Sequence, residues 1–439
     1  MSLDDNLHAS LKIEDGIATG GRVHFGTAAY GAVTFDAIRM SGELPFLDYG
    51  AWDTVTEEFG LISDVSLEDE IAAHVASAEL SVEEFLLYYL PLDDVEMLVT
   101  RGDDHWIASL RNEMLEGEVR ILDEDDAPLG VNLNWLSFES EGGALDPLYD
   151  VNPVEVADVD FSTEQLLLDG EDFGHWSFKY RATEHGGRFE DLAVVALGVQ
   201  VAAGSLGEWH YRNGHHGSRF AGDIVIDDLA KAQQNFGFAS SIEGEGLKLA
   251  VDVSWDGSPA MVDIERVSGE VEILEGSGRF VQAETGGALK LLGIFDFASL
   301  ARRFRLDFSD LIDDGFEFTD IQGVISFDEG EVVVQEPIVI HGSSGKFTVG
   351  GGMNLVSNTL DNDMIVTLPV GRTLPWYAAY SAIATGPLAG AGVMLAQKVF
   401  ENQINQMSSA KYKISGSIEE PEIEFVTIFN DTVREAIPE

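Results

Sequence analysis

Apolar and polar residues alternate with a period of two through most of this chain, and that pattern limits its fold more than any other feature. Leu247, Leu249, Val251, Val253 and Trp255 fall on one side of an extended backbone, with Lys248, Ala250, Asp252 and Ser254 on the other. Trp176, Phe178 and Tyr180 alternate in the same way with Ser177, Lys179 and Arg181. Successive side chains of a strand point to opposite faces, so such segments read as strands with one face buried. Further strands are predicted at Ser218–Ile226, Gly269–Leu274, Gln322–Phe327, Glu331–Gln335, Ile338–His341, Lys346–Met353, Met364–Leu368 and Lys411–Ser417. Turns are predicted at Asp328–Gly330, Gly342–Gly345 and Asn358–Asn362, where Gly, Asn and Asp tolerate left-handed dihedrals. The sum is a long antiparallel meander. Strands do not alternate with long helices, which disfavours a doubly wound α/β fold.

A few helices interrupt the strands. Val65–Ala76 follows a cap-like Ser66-x-x-Asp69 start, Asp227–Phe236 is acidic at its front, and Phe297–Arg305 ends in Arg302, Arg303 and Arg305. Leu80–Leu90 reads equally as helix or strand.

With 439 residues, 45% of them apolar, the chain has ample material for a large core. Its 78 acidic residues against 25 basic give a net charge of −53. Such a surface offers nucleic acid no basic stripe to displace counterions, and it is repelled by anionic membrane. The acids are spread along the chain rather than gathered in a tail, which reads as a solvation device. The absence of cysteine excludes disulfides, thiolate metal sites and cysteine nucleophiles. The opening MSLDDNLHAS has neither a basic nor an apolar leader region, so the chain reads as a cytosolic protein or a piece of a longer one.

One stretch breaks the pattern. Thr373–Gln397 contains no charged residue, is rich in Ala and Gly, and holds Pro375 and Pro387. It passes the rough length test of ~18 residues for a span, but Pro387 and the small residues point to a broken helical element. Two readings stand: a buried helical hairpin capping the sheet, or a lipid-contacting tip. Thinning of acid around it, with Arg372, Lys398, Lys411 and Lys413 against Glu401 and Glu419 between Met364 and Glu419, suits the second. The membrane-contact candidates are Leu374, Trp376, Tyr377, Ile383, Leu388, Val393 and Leu395.

Catalytic signatures do not emerge. Gly342–Lys346 resembles a phosphate loop, but Ile340 stands where the motif needs glycine and Phe347 where it needs Ser or Thr. Gly350–Gly352 leads to more strand rather than to a helix, so it implies no dinucleotide site. His210, His215 and His216 cluster beside Trp209 and Tyr211; three imidazoles can bind a metal, but Gly214 and Gly217 favour a polar hairpin loop. Acidic pairs such as Asp103-Asp104, Asp125-Asp126 and Asp313-Asp314 are expected by chance in so acidic a chain. Asp361-Asn362-Asp363 lacks the glycine and glutamate of a calcium loop. No cofactor, metal or catalytic residue is expected, and the chain is read as non-enzymatic.

Leu291–Arg303 (LLGIFDFASLARR), followed by Leu306–Leu311, resembles the C-terminal region of the YhdP-type members of the AsmA-like family. The resemblance continues in order through Phe316–Gly323, Gly350–Asp361, Pro387–Gly390, Ala396–Lys398, Tyr412–Gly416 and Glu420–Ile423. Upstream, Phe161–Trp176, Ser218–Leu229 and Met40–Trp52 fit more loosely. Family members are similar to the eukaryotic bridge-like lipid-transfer proteins. The resemblance implies a mainly β fold, a long antiparallel sheet curved or rolled into a β-groove, with a few short helices and a C-terminal helical element. It also implies a periplasmic location within an inner-membrane-anchored protein whose anchor is absent from this chain. The implied role is phospholipid transport towards the outer membrane, supporting its integrity, with phospholipid as partner and an outer-membrane partner unidentified.

The expected organisation is an upstream groove section over 1–157, the AsmA-like groove over 158–372, an apolar helical element over 373–405 and a terminal strand and tail over 406–439. The groove-lining candidates are Trp176, Phe178, Tyr180, Leu247, Leu249, Val251, Val253 and Trp255. The competing reading is a closed β structural or interaction protein of the envelope, with a filled core and no lipid cargo.

Overall fold

The structure, a computed structural model, describes residues 2–3, 7–27, 33–48, 74–87, 90–124, 127–139, 146, 148–235, 240, 242–281, 316–343, 345–368, 408–418, 421–428 and 432–433. The chain divides into two compact units, Met1–Leu192 and Ala193–Glu439.

The first unit holds β1 (Ser2–Leu3), β2 (Leu7–Glu14), β3 (Ile17–Phe25), β4 (Ile38–Asp48), β5 (Val75–Leu87), β6 (Leu90–Arg101), β7 (His105–Arg111), β8 (Leu115–Leu122), β9 (Leu129–Phe138), β10 (Val159–Leu168), β11 (Glu171–Asp172) and β12 (His175–Thr183). A further strand, β13 (Gly186–Ala196), crosses the boundary. Pairing is antiparallel from β1 to β3, from β5 to β9, and between β10 and both β11 and β12. It is parallel for β3–β4, β4–β5 and β9–β10. The long antiparallel meander expected from the sequence holds along most of the chain and gives way to parallel pairing at these three joints. Parallel neighbours cannot be closed by a tight turn, and the stretches between these strands, such as residues 139–158, are correspondingly long.

The second unit holds β14 (Val199–Arg212), β15 (His215–Ile226), α1 (Leu229–Asn235), β16 (Ile242–Asp256), β17 (Ser268–Phe280), β18 (Phe316–Asp328), β19 (Glu331–Gly342), β20 (Gly345–Asn354), β21 (Thr359–Leu368), β22 (Ser408–Gly416) and β23 (Pro421–Ile428). Here each strand from β14 to β23 pairs antiparallel with the next. Irregularities lie between Val201 and Leu206 in β14, Glu245 and Lys248 in β16, and Val334 and Ile338 in β19. Bulges of this kind bend a strand and increase its twist, so this sheet is curved along its strands.

The observed elements refine several expectations. Val75 and Ala76 belong to β5, so a helix cannot run to Ala76; the rest of Val65–Ala76 that precedes His74 lies outside the described residues, as does Phe297–Arg305. Leu80–Leu87 is strand, its apolar residues packed in the sheet rather than around a helix. Glu331–Gln335 and Ile338–His341 are one strand joined across the bulge at Pro337. The turn before β21 is Leu355–Asn358, closed by Asn358 at φ 53°, and Thr359–Asn362 is already strand. The helix expected at Asp227–Phe236 forms as α1, its first turn capped by Asp228, whose Oδ1 accepts from the Lys231 amide at 2.9 Å.

Each unit has its own apolar core. Val82, Phe85, Leu92, Val95, Met97, Leu110, Leu115, Leu133 and Leu136 form that of the first. In the second, the core draws on β17 to β22, centred on Ile340, Met364 and Ile414.

Candidate functional site

Strand register decides which side chains share a face. In the second unit, Leu249 of β16 lies opposite Ile224 of β15 and Ile273 of β17. Val251 lies opposite Gly222 and Val271, and the row continues through Ile325, Val334, Gly351, Asn362, Ile414 and Ile423. Val253 heads a parallel row through Phe220, Phe327, Val332, Met353 and Leu360. The five candidates of β16 thus sit on a single apolar face that runs from β15 to β23. The polar alternates, Lys248, Asp252 and Ser254, occupy the other face.

Burial along this face is uneven. Leu247, Leu249, Val251, Val253 and Trp255 are all partly exposed, as are Phe220, Ile224, Val271 and Ile273 beside them. Further along, Val332, Val334, Ile338, Phe347, Val349, Leu360, Met364 and Tyr412 are buried, and Ile340 is 0% exposed. The apolar surface is therefore partly exposed around Leu247–Trp255 and their partners on β15 and β17, and dry over β19–β22, where Ile273 and Phe280 of β17 join the core. Trp255 anchors its own strand end, its Nε1 donating to the Ser258 carbonyl at 2.9 Å.

The candidates of β12 lie in the first unit. Register places Trp176, Phe178 and Tyr180 opposite Thr163, Phe161 and Val159 of β10, which in turn lie beside Leu133, Val131 and Leu129 of β9. Phe178 stacks on Phe161 with centroids 4.8 Å apart and meets the edge of Phe189 at 5.2 Å. Trp176 and Phe178 are partly exposed. Tyr180 is not: it is 3% exposed and its hydroxyl donates to the Pro153 carbonyl. Burial raises its phenol well above the usual range. A Cβ on Gly187 would stand 2.2 Å from the Tyr180 hydroxyl oxygen, so glycine there makes room for the ring.

The polar faces carry the charge. Arg219 bridges Asp252, at 2.7 and 2.8 Å, and Glu208 at 3.2 Å. Hydrogen bonding from Arg219 holds the Asp252 carboxyl below its ordinary range. Lys248 pairs with Glu275, Arg279 with Glu243, and Lys413 with Asp361. These cations are engaged by carboxylates on the face opposite the apolar rows.

Of the histidines, His210 and His215 are exposed, while His216 is buried and accepts at Nδ1 from Trp209 Nε1 at 3.0 Å. The hairpin turns at Asn213-Gly214, and Gly217 lies within β15 rather than in the loop, because residues alternate across the strand from His215 onward. Among the described residues no group of three metal-ligating side chains converges, and no helix is long and apolar enough to cross a membrane. Leu374, Trp376, Tyr377, Ile383, Leu388, Val393 and Leu395 lie outside the described residues. Sequence reading passed over Phe220, Ile224, Val271 and Ile273, which only pairing register assigns to the open face. It met Asn362 only within the Asp361-Asn362-Asp363 trio set aside as a calcium loop, although Leu360, Met364 and Val366 alternate around it.

The family model described as YhdP protein matches residues 1–423 of the chain. A relative from Escherichia coli (strain K12), named as the intermembrane phospholipid transporter YhdP, is 27% identical over 217 residues. That match covers 49% of this chain and 17% of the relative, so the chain corresponds to a minor part of the relative's length. No solved structure matches the chain.

Proposed function

This chain belongs to the YhdP family, and from that premise we propose that its apolar sheet faces carry the acyl chains of phospholipid in transport between the two membranes of a cell envelope. The observation that carries this reading is the open apolar face of β15–β17. Phe220, Ile224, Leu249, Val251, Val253, Val271 and Ile273 share one side of a curved sheet and remain partly exposed. A folding chain gains by burying such a surface, and a bound acyl chain covers it. Each CH₂ taken from water contributes about 0.8 kcal/mol, so a continuous apolar face lets a lipid move without re-exposing its tails. The headgroup stays in water, where the ion-paired polar face makes no demand on it.

The role is non-enzymatic: cargo is held and passed on, with no bond made or broken. The name of the Escherichia coli relative supports phospholipid as cargo. The same reading puts the chain in the periplasm, as part of a longer protein anchored in the inner membrane and supporting outer-membrane integrity. Within it, Thr373–Gln397 is the membrane-contacting element, through Leu374, Trp376, Tyr377, Ile383, Leu388, Val393 and Leu395. Trp176 and Phe178 serve as lining in the first unit, while Tyr180 holds the loop at Pro153. The closed-scaffold alternative draws on the dry core over β19–β22, which resembles an ordinary filled interior.

Native mass spectrometry of the gently extracted protein tests the choice. The transport reading expects co-purified phospholipid, displaced when Val251 and Val253 are both changed to Asp. A protein free of lipid, with the wild-type fold intact by circular dichroism, overturns it in favour of the closed scaffold.

A further inference from the structure

Asn362 is the polar interruption in the apolar row that runs from Val251 through Val334 to Ile423. It is 2% exposed. Its side-chain nitrogen is buried and has no hydrogen-bond partner among the described residues. Register sets it between Gly351 of β20 and Ile414 of β22, with Leu360 and Met364 above and below it on its own strand. An amide donor in such a place is costly, because burial removes its water and nothing replaces it. Isoleucine or leucine would continue the row without that cost.

The surroundings narrow what acceptor suits it. Lys411 and Lys413 flank Tyr412 on the neighbouring strand but lie on the opposite face, where they pair with Asp363 and Asp361. No cation shares the apolar face with Asn362 among the described residues of β20–β22. A phosphate brought there would be an unpaired buried charge, which is far more costly than a neutral carbonyl. A carboxylate is excluded on the same ground. The acceptor must be neutral and must arrive attached to apolar chains.

We propose that Asn362 donates its side-chain N–H to an ester carbonyl of the acyl cargo, so that the apolar face distinguishes ester-linked from ether-linked lipid. This rests on the reading that the face carries lipid and extends it from β15–β17 to the dry strands around β21, where Leu360 and Met364 are buried. Access requires Leu360 and Met364 to move apart, and the unbranched Met364 adapts readily to a new neighbour. The missing Cβ at Gly351 lets β21 approach closely, since a methyl there would stand 2.8 Å from the Asn362 Cα and 3.2 Å from its Oδ1.

The test is a competition on the full chain between diacyl phosphatidylethanolamine and its dialkyl ether counterpart of equal chain length, read by native mass spectrometry. One neutral hydrogen bond predicts about a fivefold preference for the ester lipid. In Asn362→Leu both lipids still bind and the preference falls to unity. Equal binding of the two lipids to the wild type overturns the proposal while leaving lipid carriage standing, and this readout does not depend on any variant folding. A preference that persists in Asn362→Leu also overturns it, and a raised melting temperature alongside would mark Asn362 as an unsatisfied core residue. If neither lipid binds, lipid carriage itself falls and the proposal with it.

Discussion

Truncating one side chain at each end of the same apolar face should give very different losses of stability. Ile340 of β19 is 0% exposed and lies between Ile321 of β18 and Phe347 of β20. Ile340→Ala removes three carbons from a dry site, worth about 2.4 kcal/mol in transfer at ~0.8 per carbon, and leaves a cavity that brings the total to about 3–4 kcal/mol. Leu249 of β16 carries the same number of carbons and lies between Ile224 and Ile273, but it is partly exposed. Part of its surface is already wet, and the space left by Leu249→Ala opens to solvent rather than to a void. Its loss should be about 1 kcal/mol. Urea titration of delipidated protein, followed by far-ultraviolet circular dichroism, measures both. Equal losses would show that the β16 face is packed as tightly as β19, and would remove the physical basis for an open lipid-binding surface.

Other perturbations probe the frame around this face. Tyr180→Phe leaves the Pro153 carbonyl without its donor and should cost about 1–3 kcal/mol in thermal or urea unfolding. Gly187→Ala drives a methyl into the Tyr180 ring and should cost a similar ~1–3 kcal/mol, with a change in the near-ultraviolet spectrum of the aromatic cluster. The lowered Asp252 carboxyl stays charged in the folded protein at a pH where the unfolded chain already binds the proton. Its contribution is therefore complete above about pH 4 and is lost as pH falls through the lowered folded value, so Asp252→Asn should show a shallower acid decline below about pH 4 than the wild type. With a net charge of −53, added sodium chloride should raise the unfolding midpoint by screening self-repulsion; a midpoint that falls with salt would show that ion pairs such as Arg219–Asp252 outweigh it.

Alternation was enough to place most strands of the second unit, because one face of each is apolar and a slip of one residue would invert it. It located β16 and its five candidates, and it marked the turn at Asp328–Gly330, where Glu329 takes φ 45°. What it could not supply was pairing. The parallel joints β3–β4, β4–β5 and β9–β10 depend on long connections that carry no periodic signal. The contrast between an open β16 and a dry β19 was equally hidden, since Val251 and Val334 sit in the same kind of pattern and differ only in what covers them. Tyr180 shows the same limit: its spacing matches Trp176 and Phe178, but Pro153, distant in sequence, takes its hydroxyl. Asn362 was visible as a polar residue among Leu360, Met364 and Val366, but its lack of a partner follows only from the packing.

The most direct test of lipid carriage is a scan along β16 with a photoreactive amino acid, in the presence of phospholipid vesicles. The account predicts a period of two: crosslinks to lipid from positions 249, 251 and 253, which share the apolar face, and none from 248, 252 and 254, which share the charged one. Crosslinking that is equal on both faces, or absent from 249, 251 and 253 in folded protein, would contradict it.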